Sequence, residues 1–421
     1  MIKKFKKGEI YIIKGDIEFK VIEGEIEIVG KRFVKGESDF IPVGKSLPFE
    51  FLDNSEIEFK DYSENKLEKV EFRTIPKEWD EIIEAIKTRN YRKVIVVGAM
   101  DTGKSFFSTY VANKLFYSDK KVGVIDTDLG QSDIGPPTTI GFSLLNYPTL
   151  FLQNSPLTSF EFIGAHSPSL HLVPMLVGFN KIVKKALQVS DVIIVNTSGF
   201  IYGDVARILK QAKFDILEPD MIVLIQNSNE CEHLIKSIVE TEKIFRLKVS
   251  KKASETSKSE REKLRNLASQ KYFKNSKEIT LKFEQFLTER CYFKTGVEFK
   301  IPDSLKKNVI YIEKFPAYEG TLVVSKKFLT KDEIIILNNN GFLNIKNFIA
   351  GSEKGIILGL LDERRETLAL GITKFIDFEN KFIKIITPYS GDVERIKIIQ
   401  FGSIRYTEEG KENGFIEPGI F

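Results

Sequence analysis

The chain has 421 residues, 42% of them hydrophobic and 29% charged, with a formal net charge of +4. That length exceeds what one core serves and implies two or three domains, and the balance excludes a disordered chain. Two cysteines, Cys231 and Cys291, exclude a disulfide framework or a zinc site, three histidines argue against a histidine-built metal centre, and no run of 18 apolar residues exists to span a membrane.

Residues 1–74 read as β structure. Ile17–Val21 and Glu25–Ile28 alternate apolar and polar residues after the short apolar run Ile10–Ile13, with turns at Gly15-Asp16 and Glu23-Gly24. A small sandwich without visible chemistry is expected there. Pro76 suits the first position of a helix, which puts Trp79, Ile82, Ile83 and Ile86 on one face.

Val94-Ile95-Val96-Val97 then reads as a buried parallel strand. It runs into Gly98-Ala99-Met100-Asp101-Thr102-Gly103-Lys104-Ser105, which matches G-x-x-x-x-G-K-[ST] at every specified position. An amphipathic stretch, Phe106–Leu115, follows. Glycines let backbone N–H groups close around phosphate oxygens, and a helix N-terminus adds partial positive charge. Lys104 is placed to reach the β- and γ-phosphates, and Ser105 to ligate Mg²⁺. The chain therefore binds a nucleoside triphosphate.

Strands are expected at 94–97, 122–126, 191–195 and 220–226, with helices near 104–117, 171–188, 204–213 and 228–240. This alternation implies βαβ units and a parallel sheet covered on both faces, with ligands at the carboxyl ends of the strands. The second strand ends in Asp126-Thr127-Asp128-Leu129-Gly130-Gln131, the arrangement of a Walker B carboxylate. Two residues apart on extended chain, Asp126 and Asp128 project to one side. One can serve the metal while the other accepts a proton from an attacking hydroxyl.

Beyond about Arg290 the period returns to two. Val309–Ile312, Gly320–Val324, Glu333–Leu337, Ile356–Leu360, Thr367–Ile372, Phe382–Ile386 and Ile396–Ile399 are expected strands of a C-terminal β domain. Charge is localised before it. Arg246 to Lys277 holds eleven Lys or Arg against three Glu, a local +8, so the remaining residues sum to −4. A basic segment on a near-neutral protein marks a site for a polyanion.

Residues 126–137, Asp-Thr-Asp-Leu-Gly-Gln-Ser-Asp-Ile-Gly-Pro-Pro, resemble the second signature of the polynucleotide 5′-hydroxyl kinases, RNA kinases of pre-mRNA cleavage and ribosomal RNA processing with archaeal relatives. The resemblance extends to Asp101, to Gly164-Ala165-His166-Ser167-Pro168, to Asn196-Thr197-Ser198-Gly199-Phe200-Ile201-Tyr202-Gly203, and to Glu218-Pro219-Asp220. Arg261-x-x-x-Arg265 and Ile75-Pro76-x-x-Trp79 match too, so it covers about residues 75–277.

It implies Mg²⁺-dependent transfer of the γ-phosphate of ATP or GTP to the 5′-hydroxyl of single-stranded RNA, or DNA, and partners among RNA-processing proteins. By this resemblance Gly98 to Phe106 bind nucleotide, and Ser105, Asp126 and Asp128 hold the metal. Lys104, Asp128, Arg261 and Arg265 are catalytic, with Asp128 the base and the two arginines closing over the phosphoryl group from one helix face. Gln131, Ser167, Pro168, Thr197, Gly199 and Phe200 contact the substrate. Phe200 stands where the family usually has a base-stacking Trp, and Phe106 where many relatives carry a second hydroxyl. His166 and His171 are open between phosphate contact and a structural place at a helix entrance.

The expected architecture is α/β: a P-loop NTPase core with a parallel sheet at 75–290, carrying a basic lid at 246–277, flanked by β domains at 1–74 and 291–421. The Met1–Lys7 start lacks a signal peptide's apolar stretch, so the cytoplasm is expected, or the nucleus of a eukaryotic source. Two rivals stand beside the kinase: a non-catalytic nucleotide-binding subunit of an RNA-processing complex, and a partner-stimulated P-loop ATPase or GTPase.

Overall fold

In the computed structural model, which describes residues 1–250, 257–315 and 320–419, the N-terminal segment folds as two antiparallel sheets. One orders Ile2–Phe5, Ser55–Lys60, Ile17–Glu23 and Ser38–Ile41, and the other runs from Lys31–Val34 to Leu67–Val70. Alternation turns Phe19, Phe33, Phe49, Phe51 and Phe59 inward, all nearly inaccessible. The expected sandwich is present.

The central sheet has seven strands, in the order Ser159–Phe162, Thr139–Leu144, Val122–Asp126, Val192–Asn196, Lys93–Gly98, Met221–Gln226, Ile244–Lys248. Five are parallel, as expected, and the first two add an antiparallel edge. Alternating residues of each parallel strand face two cores. Val94, Val96, Val122, Val124, Val192 and Ile194 pack with the helices Lys77–Thr88 and Lys104–Phe116. Ile95, Val97, Ile125, Ile193 and Val195 pack with Leu172–Val189 and Asp204–Leu217. The P-loop strand is thus central and held on both edges.

The helix after the P-loop is buried all round, where one polar face was expected. The N-terminal domain covers its other side, and one core cluster runs continuously from Phe19 through Trp79 to Phe107. Asn113 ties the joint, donating to the carbonyls of Val29 and Thr149 at 2.8 Å each and accepting from the Thr149 N–H at 3.0 Å. Asn113→Leu would orphan three buried backbone groups, at roughly 1–3 kcal/mol for each. A clearly lowered melting temperature is expected in a thermal unfolding scan.

The C-terminal region holds a larger sheet, which includes Lys277–Lys282, Phe382–Thr387, Thr367–Asp377, Ile356–Leu361 and Ile398–Tyr406, and a four-stranded sheet around Val309–Phe315 and Gly320–Ser325. Lys277–Lys282, ahead of residue 291, already pairs with Phe382–Thr387 of this sheet. Glu333–Leu337, expected as a strand, lies in a helix, Lys331–Asn339. Thr330 caps it by accepting from the Glu333 N–H while Glu333 returns to the Thr330 N–H, and this capping box outweighs the β-branched run. The helix expected at 228–240 shrinks to Glu232–Ile235. Within the basic segment, Lys251 and Lys252 lie outside the described residues, and Lys258–Phe273 forms a helix. Among the described residues no helix is long and apolar enough to cross a membrane.

Candidate active site

The loop after the central strand is shaped by two left-handed residues, Asp101 at φ 58° and Gly103 at φ 88°. Gly98 must be glycine, because a Cβ would stand 2.5 Å from the Ile225 carbonyl oxygen and 2.6 Å from Thr102 Oγ1. Such a turn followed at once by the helix Lys104–Phe116 points N–H groups at an anion. Lys104 is buried, and its Nζ donates to the Ala99 carbonyl at 2.5 Å, a bond that Thr102 Oγ1 duplicates at 2.9 Å. Burial draws its ammonium below the ordinary lysine range, against the pull of Asp128. Phe106 leaves the loop and leans on Trp79, with centroids 5.8 Å apart.

Asp126 ends its strand wholly buried. Its Oδ1 accepts from the Asp128 N–H at 3.2 Å and from Asn196 Nδ2 at 3.3 Å, and its Oδ2 from the N–H groups of Asp133 at 2.5 Å and Ile134 at 3.4 Å. Burial, then Asp133 and Asp128, raise its carboxyl well above the usual carboxylate range. Asp128 is partly open, and its Oδ1 accepts from the N–H groups of Gly130 and Gln131 at 3.1 and 3.0 Å. Burial raises the Asp133 carboxyl, with the nearby Ser105 hydroxyl acting in the opposite direction. Asn196 Nδ2 reaches Ser105 Oγ at 3.2 Å, while Asn196 Oδ1 is buried without a partner among the described residues.

This oxygen set fits Mg²⁺. The Asp126 and Asp128 carboxylates and the Ser105 hydroxyl are hard oxygen donors, and the buried Asn196 Oδ1 has no partner among the described residues. Among the described residues no group of three or more His, Cys, Asp or Glu is placed to hold a metal ion. Mg²⁺ is usually held by one or two carboxylates together with waters and substrate phosphates.

The helix Lys258–Phe273 brings Arg261 to the phosphate loop. Its Nη1 is 2.8 Å from Met100 Sδ and 3.9 Å from Asp101 Oδ2, and its carbonyl accepts from Gln131 Nε2 at 3.0 Å. Arg265 points elsewhere. It lies 3.7 Å from Glu412 Oε2, which is 3.3 Å from His166 Nε2, and Tyr406 OH is 3.2 Å from the same nitrogen. Arg261 thus borders the phosphate loop, and Arg265 faces Glu412 of the C-terminal region.

Thr197 is buried and donates to the Val96 carbonyl at 2.8 Å, so its hydroxyl braces the sheet. Gly199 lets its loop touch the phosphate loop, since a Cβ would fall 2.4 Å from Met100 Cγ. Phe200 is half-buried against the core, while Tyr202 is 65% exposed in the same loop. Ser167 is exposed and bonded to Ser169 at 2.9 Å, and Pro168 is buried. His171 is buried, with Nε2 3.0 Å from Ser403 Oγ at the entrance of Leu172–Val189, and burial lowers its pKa. That is a structural place.

Asp133, Asn196 and Glu412 escaped sequence reasoning. Asp133 and Asn196 lie inside quoted motifs but obey no ligand spacing, and Glu412 comes from a remote strand.

Residues 98–275 match the family model described as the mRNA cleavage and polyadenylation factor CLP1 P-loop. A polyribonucleotide 5′-hydroxyl-kinase of Pyrococcus abyssi is 32% identical over 333 residues, covering 78% of this chain and 92% of the relative. A polyribonucleotide 5′-hydroxyl-kinase of Methanocaldococcus jannaschii is 31% identical over 360 residues, covering 84% and 98%. The solved wild-type Clp1p–Pcf11p complex shares the fold, with a TM-score of 0.65 at 13% identity, over 96% of this chain and 98% of that one. With this share of both lengths matched, and the phosphate loop and second signature at adjacent strand ends, the chain belongs to the polyribonucleotide 5′-hydroxyl-kinase family.

Proposed function

We propose that the protein transfers the γ-phosphate of ATP or GTP to the 5′-hydroxyl of RNA, or DNA, in the cytoplasm. The observation that carries this reading is the meeting of Lys104, Ser105 and the Asp126–Asp128–Asp133 group at adjoining strand ends, with Arg261 across Asp101. The 5′-oxygen attacks phosphorus in line and gives its proton to Asp128. The bond from phosphorus to the bridging oxygen breaks, and the nucleoside diphosphate leaves. Lys104 and Arg261 face the charge that spreads over the equatorial oxygens. Ser105, Asp126 and Asp128 would hold Mg²⁺, which when bound would supply charge neutralisation for the triphosphate. An RNA-processing protein is a fitting partner, since the structurally similar Clp1p is solved with Pcf11p.

The test is transfer of labelled phosphate from ATP and GTP to 5′-hydroxyl RNA and DNA oligonucleotides side by side. Partner-stimulated hydrolysis without transfer would instead favour an ATPase or GTPase.

Arg261→Ala is expected to lower the single-turnover rate at saturating substrates by roughly 10²-fold, with a small change in RNA affinity. Lysine should restore little, lacking the guanidinium fork. Arg265→Ala should cost less, and Glu412→Ala should cost about the same as Arg265→Ala, because those two side chains meet. Equal rate losses at Arg261 and Arg265, with none at Glu412, would return Arg265 to the phosphoryl group.

Lys271, Lys274 and Lys277 are exposed and contribute through counterion release. Their joint removal is expected to reduce the salt slope of RNA binding by roughly 0.7 per lost contact. An unchanged slope in a salt titration would remove them from the RNA-binding surface.

A further inference from the structure

Two lysines stand in the interior directly behind the site. Lys210 and Lys213, nearly one turn apart on Asp204–Leu217, are both fully buried. Lysine is almost never buried without a charged partner. Yet among the described residues each amine has one hydrogen-bond acceptor and no carboxylate within ion-pair distance. Burial lowers both, Lys213 to about 7 and Lys210 well below its ordinary range, the latter helped by Lys213 and Lys104. A methionine would fill such a space without desolvating an amine, so core stability does not account for them.

Their acceptors do. Lys213 Nζ donates to Thr127 Oγ1 at 2.8 Å, and its ammonium lies 5.3 Å from the Phe179 ring centroid. Thr127 separates Asp126 from Asp128. Its hydroxyl and its N–H both donate to the Asn196 carbonyl, at 3.1 and 3.0 Å, and the Asn196 side chain reaches Ser105 and Asp126. Lys210 Nζ donates to the Ser198 carbonyl at 2.8 Å, just ahead of Gly199 and its contact with Met100. Each amine therefore grips the back of one loop of the candidate site. With only one hydroxyl between the two aspartates available to fix that turn from behind, the bond to Lys213 bears directly on where Asp128 points.

We propose that Lys213 is a positioning residue for phosphoryl transfer, holding Thr127 so that the Asp128 carboxylate keeps its direction, and that Lys210 braces the Ser198–Gly199 loop against the phosphate loop. This rests on the kinase reading above. It differs from a packing role in one respect: loss of the amine should cost rate and not stability.

The test is a double-mutant cycle of Lys213→Met and Thr127→Val in the full chain, read by single-turnover transfer to a 5′-hydroxyl RNA, by KM for triphosphate and RNA, and by thermal unfolding. Each single variant is expected to lower the rate roughly 10- to 100-fold with KM values changed only about two- to threefold. The double variant should be no slower than the slower single one, and Lys213→Met should melt at or above the wild-type temperature. Multiplying losses, a wild-type rate in either single variant, or a Lys213→Met chain that melts lower or does not fold would each overturn the proposal. A wild-type chain that splits triphosphate without transfer would sink only the kinase reading, and the cycle would then be read on hydrolysis.

Discussion

Lys104→Ala is expected to reduce phosphate transfer by about 10³-fold or more while leaving the melting temperature near wild type. The lysine is the first residue of the helix behind the phosphate loop, and it is buried beside Asp128 and Asp126, which both favour its charged form. Its present acceptor is the neutral Ala99 carbonyl, and a phosphate oxygen is a stronger, charge-assisted one. The folded state loses little by the change. Thr102 Oγ1 still satisfies the Ala99 carbonyl, and a desolvated ammonium is removed. Phosphate-transfer assays beside circular-dichroism melting check both halves. A folded Lys104→Ala protein with normal transfer would end the assignment.

Asp128→Asn is the second large effect. The amide oxygen can still accept from the Gly130 and Gln131 N–H groups, so the turn should survive. What is lost is the proton acceptor and a negative charge near the metal, which together are expected to lower the transfer rate by roughly 10²- to 10⁴-fold with nucleotide binding largely kept. Asp126→Asn should behave differently. Both oxygens of Asp126 accept from N–H groups, and an amide would turn its own NH₂ against two of these donors. That change should cost about 1–3 kcal/mol of stability in addition to activity. If Asp126→Asn keeps its melting temperature and loses more rate than Asp128→Asn, the two roles are reversed.

Much of the central domain was legible because its signals are local. A β-branched run, a glycine-bounded loop and a lysine-serine pair at a helix start are neighbours in the chain, and backbone sterics alone put them between strand and helix. The same holds for Asp126 and Asp128, whose spacing fixes their common side. Where local signals competed, the reading failed. Glu333–Leu337 carries an apolar run that suits a strand, and the Thr330–Glu333 capping box turned it into a helix. The antiparallel strands Thr139–Leu144 and Ser159–Phe162 went unseen because the first is interrupted by Gly141 and Ser143 and the second is only four residues long, so neither carries a continuous β-branched run.

The sequence by itself determined a phosphate-binding loop, a carboxylate pair at the next strand end, and a basic helix to follow, since each depends on residues within a few positions of one another. Only the tertiary structure decided which side chains surround that chemistry. Asn196 reaches both Ser105 and Asp126 because its strand lies between theirs in the sheet. Arg261 reaches Asp101, whereas Arg265, one turn along the same helix, is taken by Glu412 of the C-terminal domain. Lys213, which reads in sequence as one more solvated lysine, is buried against Thr127 because its helix lies across the back of the sheet. Contacts of this kind join residues tens to hundreds of positions apart, and their energy comes from excluding water at one closed place, which spacing along the chain does not encode.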